Sequence, residues 1–429
     1  MNRIIKFFVT VWKIPDLRKK VIFTLAMIVV VRLFAHLTVP GVNANLLKDF
    51  FSRNEILQFL DIMSGGTLAN FSVIALGLNP YINSSIIFQL LGLVFPKLEE
   101  MQKEGESGRQ KINQYTRYLT VPLAAVQAFG MYVLLKSQSV ITVVNPISIL
   151  AIIVTMTAGT IFLMWLGELI SENGIGNGIS ILIFAGIVGR LPVIIFQTRA
   201  TVFSQGQLIN LAILIVMAVL VIFGIVIITE GRRQILIQYA KRIKGDKLYG
   251  GQSTYLPLRV NQAGVIPIIF AVSLVIMPTT VANFLSRGAS GSLANLGSWI
   301  LVNFQQGGLA YNIIYFILVV GFTFFYTAVV FNPVKISDEI KKHGGFVPGI
   351  RPGSSTATYL NYILNRITLA GAIFLGMVAI LPSIAQNITG ITNVMLGGTG
   401  ILIVVSVILE TSKQIESMVV MRSYERFLK

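Results

Sequence analysis

Residues 60–90, LDIMSGGTLANFSVIALGLNPYINSSIIFQL, decide how this chain folds. The stretch is apolar enough to enter a membrane, but Gly65-Gly66 and then Asn79-Pro80 interrupt it before a continuous apolar run begins at Tyr81. A helix that crosses a bilayer needs about 20 predominantly apolar residues, so the first half, 61–72, is too short to cross. Irregular backbone at membrane depth is tolerated only where protein or a water-filled cavity surrounds it. Residues 61–72 are therefore predicted to form a re-entrant half-helix inside the molecule.

Composition places the chain among membrane proteins. Of its 429 residues, 54% are hydrophobic and only 12% are charged, whereas soluble domains carry about 25% charged residues. Long apolar runs recur along the whole chain, which excludes a single buried core. The first run, 21–39, has no small-residue cleavage site, so it is predicted to be a spanning helix and not a removed signal peptide. The chain has no cysteine, which excludes disulfides and Cys-ligated metals.

The apolar windows predict an all-α polytopic membrane protein with ten transmembrane helices. The predicted spans are 21–40, 74–95, 118–136, 147–169, 179–197, 208–229, 264–284, 309–331, 367–386 and 393–411. Because each half contains five spans, the second half enters the membrane from the opposite side, which is the geometry of pseudo-symmetric inverted halves. The predicted segments are a cytoplasmic N-terminal segment (1–20), an N-terminal half (21–197), an external hinge loop (198–207), a C-terminal half (208–411) and a cytoplasmic C-terminal tail (412–429).

The distribution of Lys and Arg predicts the orientation. Of the 34 basic residues, 27 lie on the side of the two termini, 6 lie on the opposite side, and Arg32 lies in span 1. Cytoplasmic loops of membrane proteins carry an excess of Lys and Arg. Both termini are therefore predicted to be cytoplasmic.

The spans lack the groups that catalysis and ion-coupled transport need. None of the 17 acidic residues falls in the middle third of a predicted span, whereas ion-coupled carriers place a carboxylate at that depth. The two histidines, His36 and His343, are too distant to form a metal site, and no G-x-x-x-x-G-K-[ST] phosphate loop occurs. The chain is expected to be no enzyme and to bind no metal. A passive channel is favoured, with a secondary transporter or flippase as the alternative.

Polar, uncharged side chains occur in the spans instead. They are Ser84, Ser85, Gln89, Gln127, Ser273 and Thr280. In membrane helices such groups bond to neighbouring helices, each bond being worth roughly 0.6–2 kcal/mol. Two interpretations stay open: ordinary contacts between helices, or a weak seam that a competing ligand can open.

Two long basic loops on the cytoplasmic side predict a docking surface. Loop 230–263 alternates apolar residues as a strand does, which predicts a hairpin tipped by Gly245-Asp246 or Gly250-Gly251. Loop 332–366 predicts a short amphipathic helix followed by a Gly/Pro-rich tip that carries Arg351. The clustered basic residues of the first loop are Arg232, Arg233, Lys241, Arg242, Lys244 and Lys247. Their charge suits RNA phosphates or an acidic protein surface, and contact with anionic lipids is the alternative.

Five motifs occur in order along the chain. They are MSGGTLANFSVIALGLNPYINSSII, GELISENGIGNGISILIFAGIV, VNQAGVIPIIFA, FVPGIRPG and MLGGTGILIVVSVI. Together with the ten spans, they resemble the SecY/Sec61-alpha family of protein-translocation channels over essentially the full chain. Asn79 departs from the family pattern, which commonly has an apolar residue before the proline. The resemblance implies two five-span halves around an hourglass pore that opens sideways to lipid between spans 2–3 and 7–8.

The resemblance also implies roles for residues along the pore. The implied apolar constriction consists of Ile82, Ile86, Ile179, Ile183, Ile266, Ile269 and Ile403. Branched apolar side chains form a gasket that disfavours a continuous water column. Residues 60–85 are implied to be a plug with its hinge, which includes Ile62, Met63, Gly65, Gly66, Leu68, Phe71 and Gly77. The implied polar residues of the lateral gate are Gln89, Gln127 and Ser273.

The resemblance further implies partners and a location. The basic loops would dock the SecA ATPase or the ribosome, with Arg351 matching the family's loop arginine. The small subunits SecE and SecG, a signal peptide or nascent chain, and anionic lipids are the other expected partners, and no cofactor is expected. The implied function is passage of unfolded secretory polypeptides across the cell inner (cytoplasmic) membrane and sideways release of transmembrane segments into lipid.

Overall fold

The computed structural model is mainly helical. It describes residues 12–39, 46–47, 61, 65–137, 140–141, 145–205, 208–239, 242–244, 247–249, 253–288, 292–304, 308–390 and 398–427. The helices are α1 Pro15–Phe34, α2 Asn79–Val94, α3 Pro96–Lys103, α4 Glu106–Ser137, α5 Pro146–Asn173, α6 Gly178–Gln205, α7 Leu208–Glu230, α8 Ile266–Gly288, α9 Ser292–Asn303, α10 Leu309–Val330, α11 Pro333–Lys342, α12 Ser354–Thr389 and α13 Gly398–Phe427. The strands are β1 Arg232–Tyr239, β2 Arg242–Lys244, β3 Lys247–Tyr249, β4 Ser253–Arg259 and β5 Gly345–Phe346.

Every predicted span overlaps one of these helices. Six helical stretches are long and apolar enough to cross a membrane within the described residues, or seven when the bent pair α2–α3 counts as one span. The six are Glu106–Lys136, Pro146–Asn173, Gly178–Phe196, Leu208–Glu230, Leu309–Lys342 and Ser354–Thr389. The chain is thus a multi-pass membrane protein, and the number ten stays a prediction.

Local sequence signals set several helix ends. α5 begins at Pro146, after Asn145 caps the first turn by accepting a hydrogen bond from the backbone N–H of Ile147 at 3.2 Å. α12 follows Gly353, whose φ of 102° favours glycine, and it ends at Thr389, before Gly390 in the left-handed conformation. Proline at the first turn of α1 likewise supplies a backbone angle suited to a helix start.

The chain divides into two compact units. The first contains residues 1–204, 393–395 and 407–429, and the second contains residues 205–392 and 396–406. In the first unit, α4 packs against α2 and α5, around a core that includes Ala124, Tyr132, Leu135 and Met156. In the second unit, α8 and α12 pack against α10.

A small sheet in the second unit joins the two predicted cytoplasmic loops. β1 pairs antiparallel with β4, from Arg232 opposite Arg259 to Gln238 opposite Ser253. The other edge of β1 pairs with β5, so that Gln238 faces Phe346. β2 and β3 form a separate hairpin on either side of residues 245–246, one of the two predicted turn positions.

Several elements differ from the sequence-based expectation. α12 begins at Ser354 rather than near 367, because the segment after the Gly/Pro-rich tip is already helical. α6 continues to Gln205 and α13 to Phe427, which extends helix into the predicted hinge loop and C-terminal tail. α9, which packs on α8, was not predicted.

Candidate functional site

The predicted plug is built from turns over its described part. Residues 65–78 form consecutive turns rather than the regular half-helix expected for 61–72. The reason is that Gly65, Gly66 and Gly77 adopt φ values of 78°, 87° and 59°, which a right-handed helix does not contain. Asp61 is helical, and the candidate residues Ile62 and Met63 lie outside the described residues.

Backbone hydrogen bonds hold this segment beside the residues that follow α1. The N–H of Val39 donates to the carbonyl of Phe71 at 2.9 Å, and the N–H of Val73 donates to Leu37 at 2.9 Å. Within the segment, the N–H of Ser72 donates to the carbonyl of Thr67 at 3.0 Å. These bonds satisfy backbone groups that would be costly to bury unpaired.

Most apolar side chains of the segment are buried in the first unit. Phe71 is 1% exposed and adopts an unusual φ of 45°. Leu68 and Phe71 belong to one core cluster together with Tyr132 and Leu135 of α4 and Met156 of α5. The segment is therefore packed as part of the protein interior, as the sequence predicted from its length.

Glycines allow the segment to approach two helices closely. A Cβ atom on Gly65 would lie 2.6 Å from the Cα of Gly186 in α6, closer than real Cβ contacts. A Cβ atom on Gly159 of α5 would overlap the carbonyl oxygen of Val73. Small residues that let backbones approach in this way are typical of membrane helix packing.

Charged groups at the start of the segment were missed from the sequence. Arg190 of α6 forms an ion pair with Asp61, with 2.6 Å between Nη2 and Oδ2. Arg32 of α1 donates through Nη1 to the carbonyl of Gly65 at 3.1 Å. The sequence did contain signals of this contact: a carboxylate within the apolar stretch 60–90, and arginines within the predicted spans 1 and 5. Ionisable residues at membrane depth are costly and usually paired.

Four of the seven candidate pore isoleucines lie in the first unit. Ile86 of α2 and Ile183 of α6 are buried, whereas Ile82 and Ile179 are half-buried. Ile82 and Ile183 line a cavity of about 50 Å³, which exceeds the volume one water needs. The wall of the same cavity includes Arg32, Thr67, Gly77, Asn79 and Gly186.

The other three candidate isoleucines lie in the second unit. Ile266 and Ile269 are half-buried on α8, and Ile403 is buried on α13. A ring made by all seven side chains stays a prediction.

The candidate gate residues make local hydrogen bonds. Gln89 Nε2 donates to Ser85 Oγ at 3.1 Å, one turn earlier on α2. Ser273 Oγ donates to the carbonyl of Ile269 at 3.0 Å on α8, and Gln127 is half-buried on α4.

Two further polar residues were predicted in the spans, Ser84 and Thr280, and the structure describes the side chain of Ser84 only. Ser84 Oγ joins two helices by donating to the carbonyl of Thr116 in α4 at 2.7 Å, which is the ordinary helix–helix contact that the sequence allowed. Thr280 lies on α8, and its side chain is outside the described residues.

Three candidate docking residues lie on β1 of the small sheet or in the tip that follows β5. Arg232 and Arg233 are exposed on β1, and Arg351 is exposed in the tip before α12. Of Arg242 and Lys244 only the β2 backbone is described, and Lys241 lies outside the described residues.

Hydrogen bonds fix the tip that carries Arg351. Ser337 Oγ of α11 donates to the carbonyl of Gly353 at 2.6 Å, and Thr356 Oγ1 donates to the carbonyl of Arg351 at 2.9 Å. Val347 packs with Ile235, Leu258 and Leu360 in one buried cluster. The arginine is thus presented on a rigid support, which the sequence did not indicate because the two loops are far apart in the chain.

The described residues hold no group of three or more His, Cys, Asp or Glu side chains that could bind a metal ion. Around the plug segment, Arg190 pairs with Asp61, and Arg32 donates to backbone carbonyls.

Comparison with known proteins identifies the family. The sequence model of the SecY family matches residues 72–412. The chain is 44% identical over 438 residues to the "Protein translocase subunit SecY" of Streptomyces scabiei, covering 98% of this chain and 99% of the relative. The protein of the same name from Thermotoga maritima is 44% identical over 433 residues, with 98% and 97% covered.

Solved structures share the fold. One, described as "The plug domain of the SecY protein stablizes the closed state of the translocation channel and maintains a membrane seal", superposes with a TM-score of 0.65 at 20% identity, covering 93% of this chain and 92% of that chain. Another, "Sec61 in the Canine ribosome-channel complex from the endoplasmic reticulum", gives a TM-score of 0.58 at 19% identity, with 93% and 92% covered. By sequence and by fold, this chain belongs to the SecY family.

Proposed function

We propose that this chain is the central protein-conducting channel of a Sec translocase. It passes unfolded secretory polypeptides across the cytoplasmic membrane and releases apolar segments sideways into lipid. The observation that carries the proposal is the non-spanning segment 65–78, which is packed inside the first unit beside a cavity lined by Ile82 and Ile183. A relative that is 44% identical over nearly the whole chain is named a translocase subunit, and a protein of the same fold is described as having a plug that maintains a membrane seal.

The seven isoleucines act as the apolar constriction of this channel. Branched apolar side chains exclude a continuous file of water, and they yield to a polypeptide because none of them forms a directional bond. The burial of Ile86, Ile183 and Ile403 fits positions that face protein rather than lipid. Gln89, Gln127 and Ser273 border the seam through which an apolar signal peptide leaves the pore.

The plug closes the channel from the external side and leaves when a chain enters. Gly77 and Leu78 directly precede α2, which begins at Asn79, so rotation at Gly77 would move the plug without unfolding the helix. Residues 65–77 close the resting channel, and the deletion of 62–70 is expected to give a folded but leakier protein.

The exposed basic residues on the small sheet and its tip dock the partner that supplies energy. Arg232, Arg233 and Arg351 present cations on a hydrogen-bonded support, which suits ribosomal RNA or an acidic surface of SecA. The chain itself performs no catalysis, and SecE and SecG complete the complex. Anionic lipids contact the basic cytoplasmic side, and both termini lie in the cytoplasm because the Lys and Arg residues concentrate there.

Crosslinking tests the proposed pore. The chain has no native cysteine, so single cysteines at Ile86, Ile183 and Ile403 would report contacts of a stalled secretory polypeptide. The matched control is Leu220→Cys on α7, because Leu220 is 63% exposed in the second unit and its surroundings are apolar. Adducts with the stalled polypeptide at the three isoleucines but not at Leu220 are expected. Adducts with lipid or detergent alone at all four positions would refute the pore.

A further inference from the structure

We infer that Arg32 and Arg190 are positioning residues that hold the plug in its packed place by binding Asp61 and the backbone of Gly65. The inference rests on the proposed function of residues 65–77 as a plug. It adds an electrostatic restraint to a segment that is also held by apolar packing and by backbone hydrogen bonds.

Asp61 connects the plug to α6 through both of its carboxylate oxygens. Oδ2 pairs with Nη2 of Arg190 at 2.6 Å, and Oδ1 accepts a hydrogen bond from the backbone N–H of Ala69 at 2.7 Å. The backbone carbonyl of Asp61 also accepts from Gly66 at 2.7 Å. The Asp61 side chain is 2% exposed, so one buried residue both shapes the first turn of the plug and attaches that turn to a spanning helix.

Arg32 of α1 also attaches the same turn to α6. Its Nη1 donates to the carbonyl of Gly65, and its Nη2 donates to the carbonyl of Gly186 at 3.1 Å and to that of Ala185. A Cβ atom on Gly189 would overlap the guanidinium group of Arg32. Glycine at 189 therefore leaves the space through which Arg32 reaches the plug.

Removal of the plug would leave the two arginines without this compensation. Arg32 and Arg190 are close enough to repel each other, and Asp61 supplies the negative charge that offsets one of them. Separating a buried ion pair leaves uncompensated charge in a poorly solvated place, which is strongly unfavourable. Departure of the plug is therefore opposed by charge, and its return is favoured by the same attraction.

The test measures ion leak through the idle complex reconstituted in lipid vesicles. Asp61→Asn removes the charge but keeps an oxygen that can accept from Ala69. We expect the resting leak to rise at least tenfold, which corresponds to about 1.4 kcal/mol. Arg190→Gln should act alike, and it carries the test if Asp61→Asn does not assemble, because Arg190 is 27% exposed.

Charge exchange separates the restraint from a general loss of structure. Asp61→Arg alone and Arg190→Asp alone should leak, and the double variant should recover at least part of the seal. The matched control is Arg117→Gln, which breaks the 2.7 Å ion pair between Arg117 and Glu168 in the same unit. Its leak should equal that of the parent protein.

The deletion of 62–70 distinguishes a failure of the charge restraint from a failure of the plug itself. A leaky deletion with silent Asp61→Asn and Arg190→Gln variants would overturn the restraint and keep the plug. A sealed deletion would overturn both. Leak in all three variants, with recovery on charge exchange, supports both.

Discussion

Gly159→Ala is the sharpest test of how the plug packs. Gly159 lies on α5, where an added Cβ atom would overlap the carbonyl oxygen of Val73 and lie 3.2 Å from the Cα of Ile74. Both obstacles are backbone atoms, so no side chain can rotate away. Val73 is held in addition by its hydrogen bond to Leu37. The methyl group can be accommodated only if the plug segment moves off the helix.

The size of the effect follows from these contacts. Inserting a methyl group into a well-packed site costs typically 1–3 kcal/mol, and here that cost falls on the packed plug alone. The gain of about 0.5–1 kcal/mol from replacing glycine inside a helix stabilises α5 whether the plug is packed or displaced, so it does not offset the shift. The population of displaced plug is therefore expected to rise about 5- to 150-fold.

The assay is resting ion leak in vesicles, together with the thermal unfolding temperature of the purified complex. The matched control is Gly130→Ala on α4, where a Cβ atom would meet nothing within 4 Å. We expect Gly159→Ala to leak and Gly130→Ala to seal and unfold at or slightly above the parent temperature. Equal leak in the two variants would refute the proposed contact between α5 and the plug.

Three further predictions concern the docking tip, the constriction and a helix contact. Arg351→Glu should impair translocation of a secretory protein without reducing the amount of chain in the membrane, because Arg351 is exposed and its backbone is held by Thr356; normal export would contradict the docking role. Replacing several of the seven pore isoleucines with Gly or Ser should raise ion conductance, measured in planar bilayers, and unchanged conductance would count against the gasket. Ser84→Ala removes the bond to the carbonyl of Thr116 and should destabilise the packing of α2 on α4 by roughly 0.6–2 kcal/mol, read as a lower unfolding temperature; an unchanged temperature would show that the bond contributes nothing.

Apolar windows were sufficient to place a helix at each predicted span, because a spanning segment must satisfy its backbone internally and must be apolar along its length. The length of the apolar stretch was also sufficient to predict that the segment before α2 does not cross the membrane. The helical form expected for 61–72 was wrong over residues 65–72, since the left-handed glycines Gly65 and Gly66, and Phe71 with its φ of 45°, turn the chain there. The local sequence pattern shows that glycine interrupts a helix, but it does not show which type of turn replaces the helix.

The charged contacts and the small sheet depend on residues that are distant in sequence. The pairing of Asp61 with Arg190 joins positions 129 residues apart, and β5 pairs with β1 across more than a hundred residues. A single sequence carries no signal for such pairings. The sequence shows each member of these pairs separately, as a charged residue in an apolar stretch or as a Gly/Pro-rich loop. Only the fold shows which residues each of them contacts.

The length of α12 has a mechanical consequence. Its 36 residues make a rod of about 54 Å that begins directly after the tip carrying Arg351 and packs along α10 and α11. The hydrogen bond from Thr356 fastens that tip to the first turn of the rod, and the bond from Ser337 to Gly353 fastens it to α11. A force on the tip would therefore act on the end of a long helix. The first proline along this helix, Pro382, lies near its far end, so a displacement of the tip would be carried along most of the helix as one rigid movement.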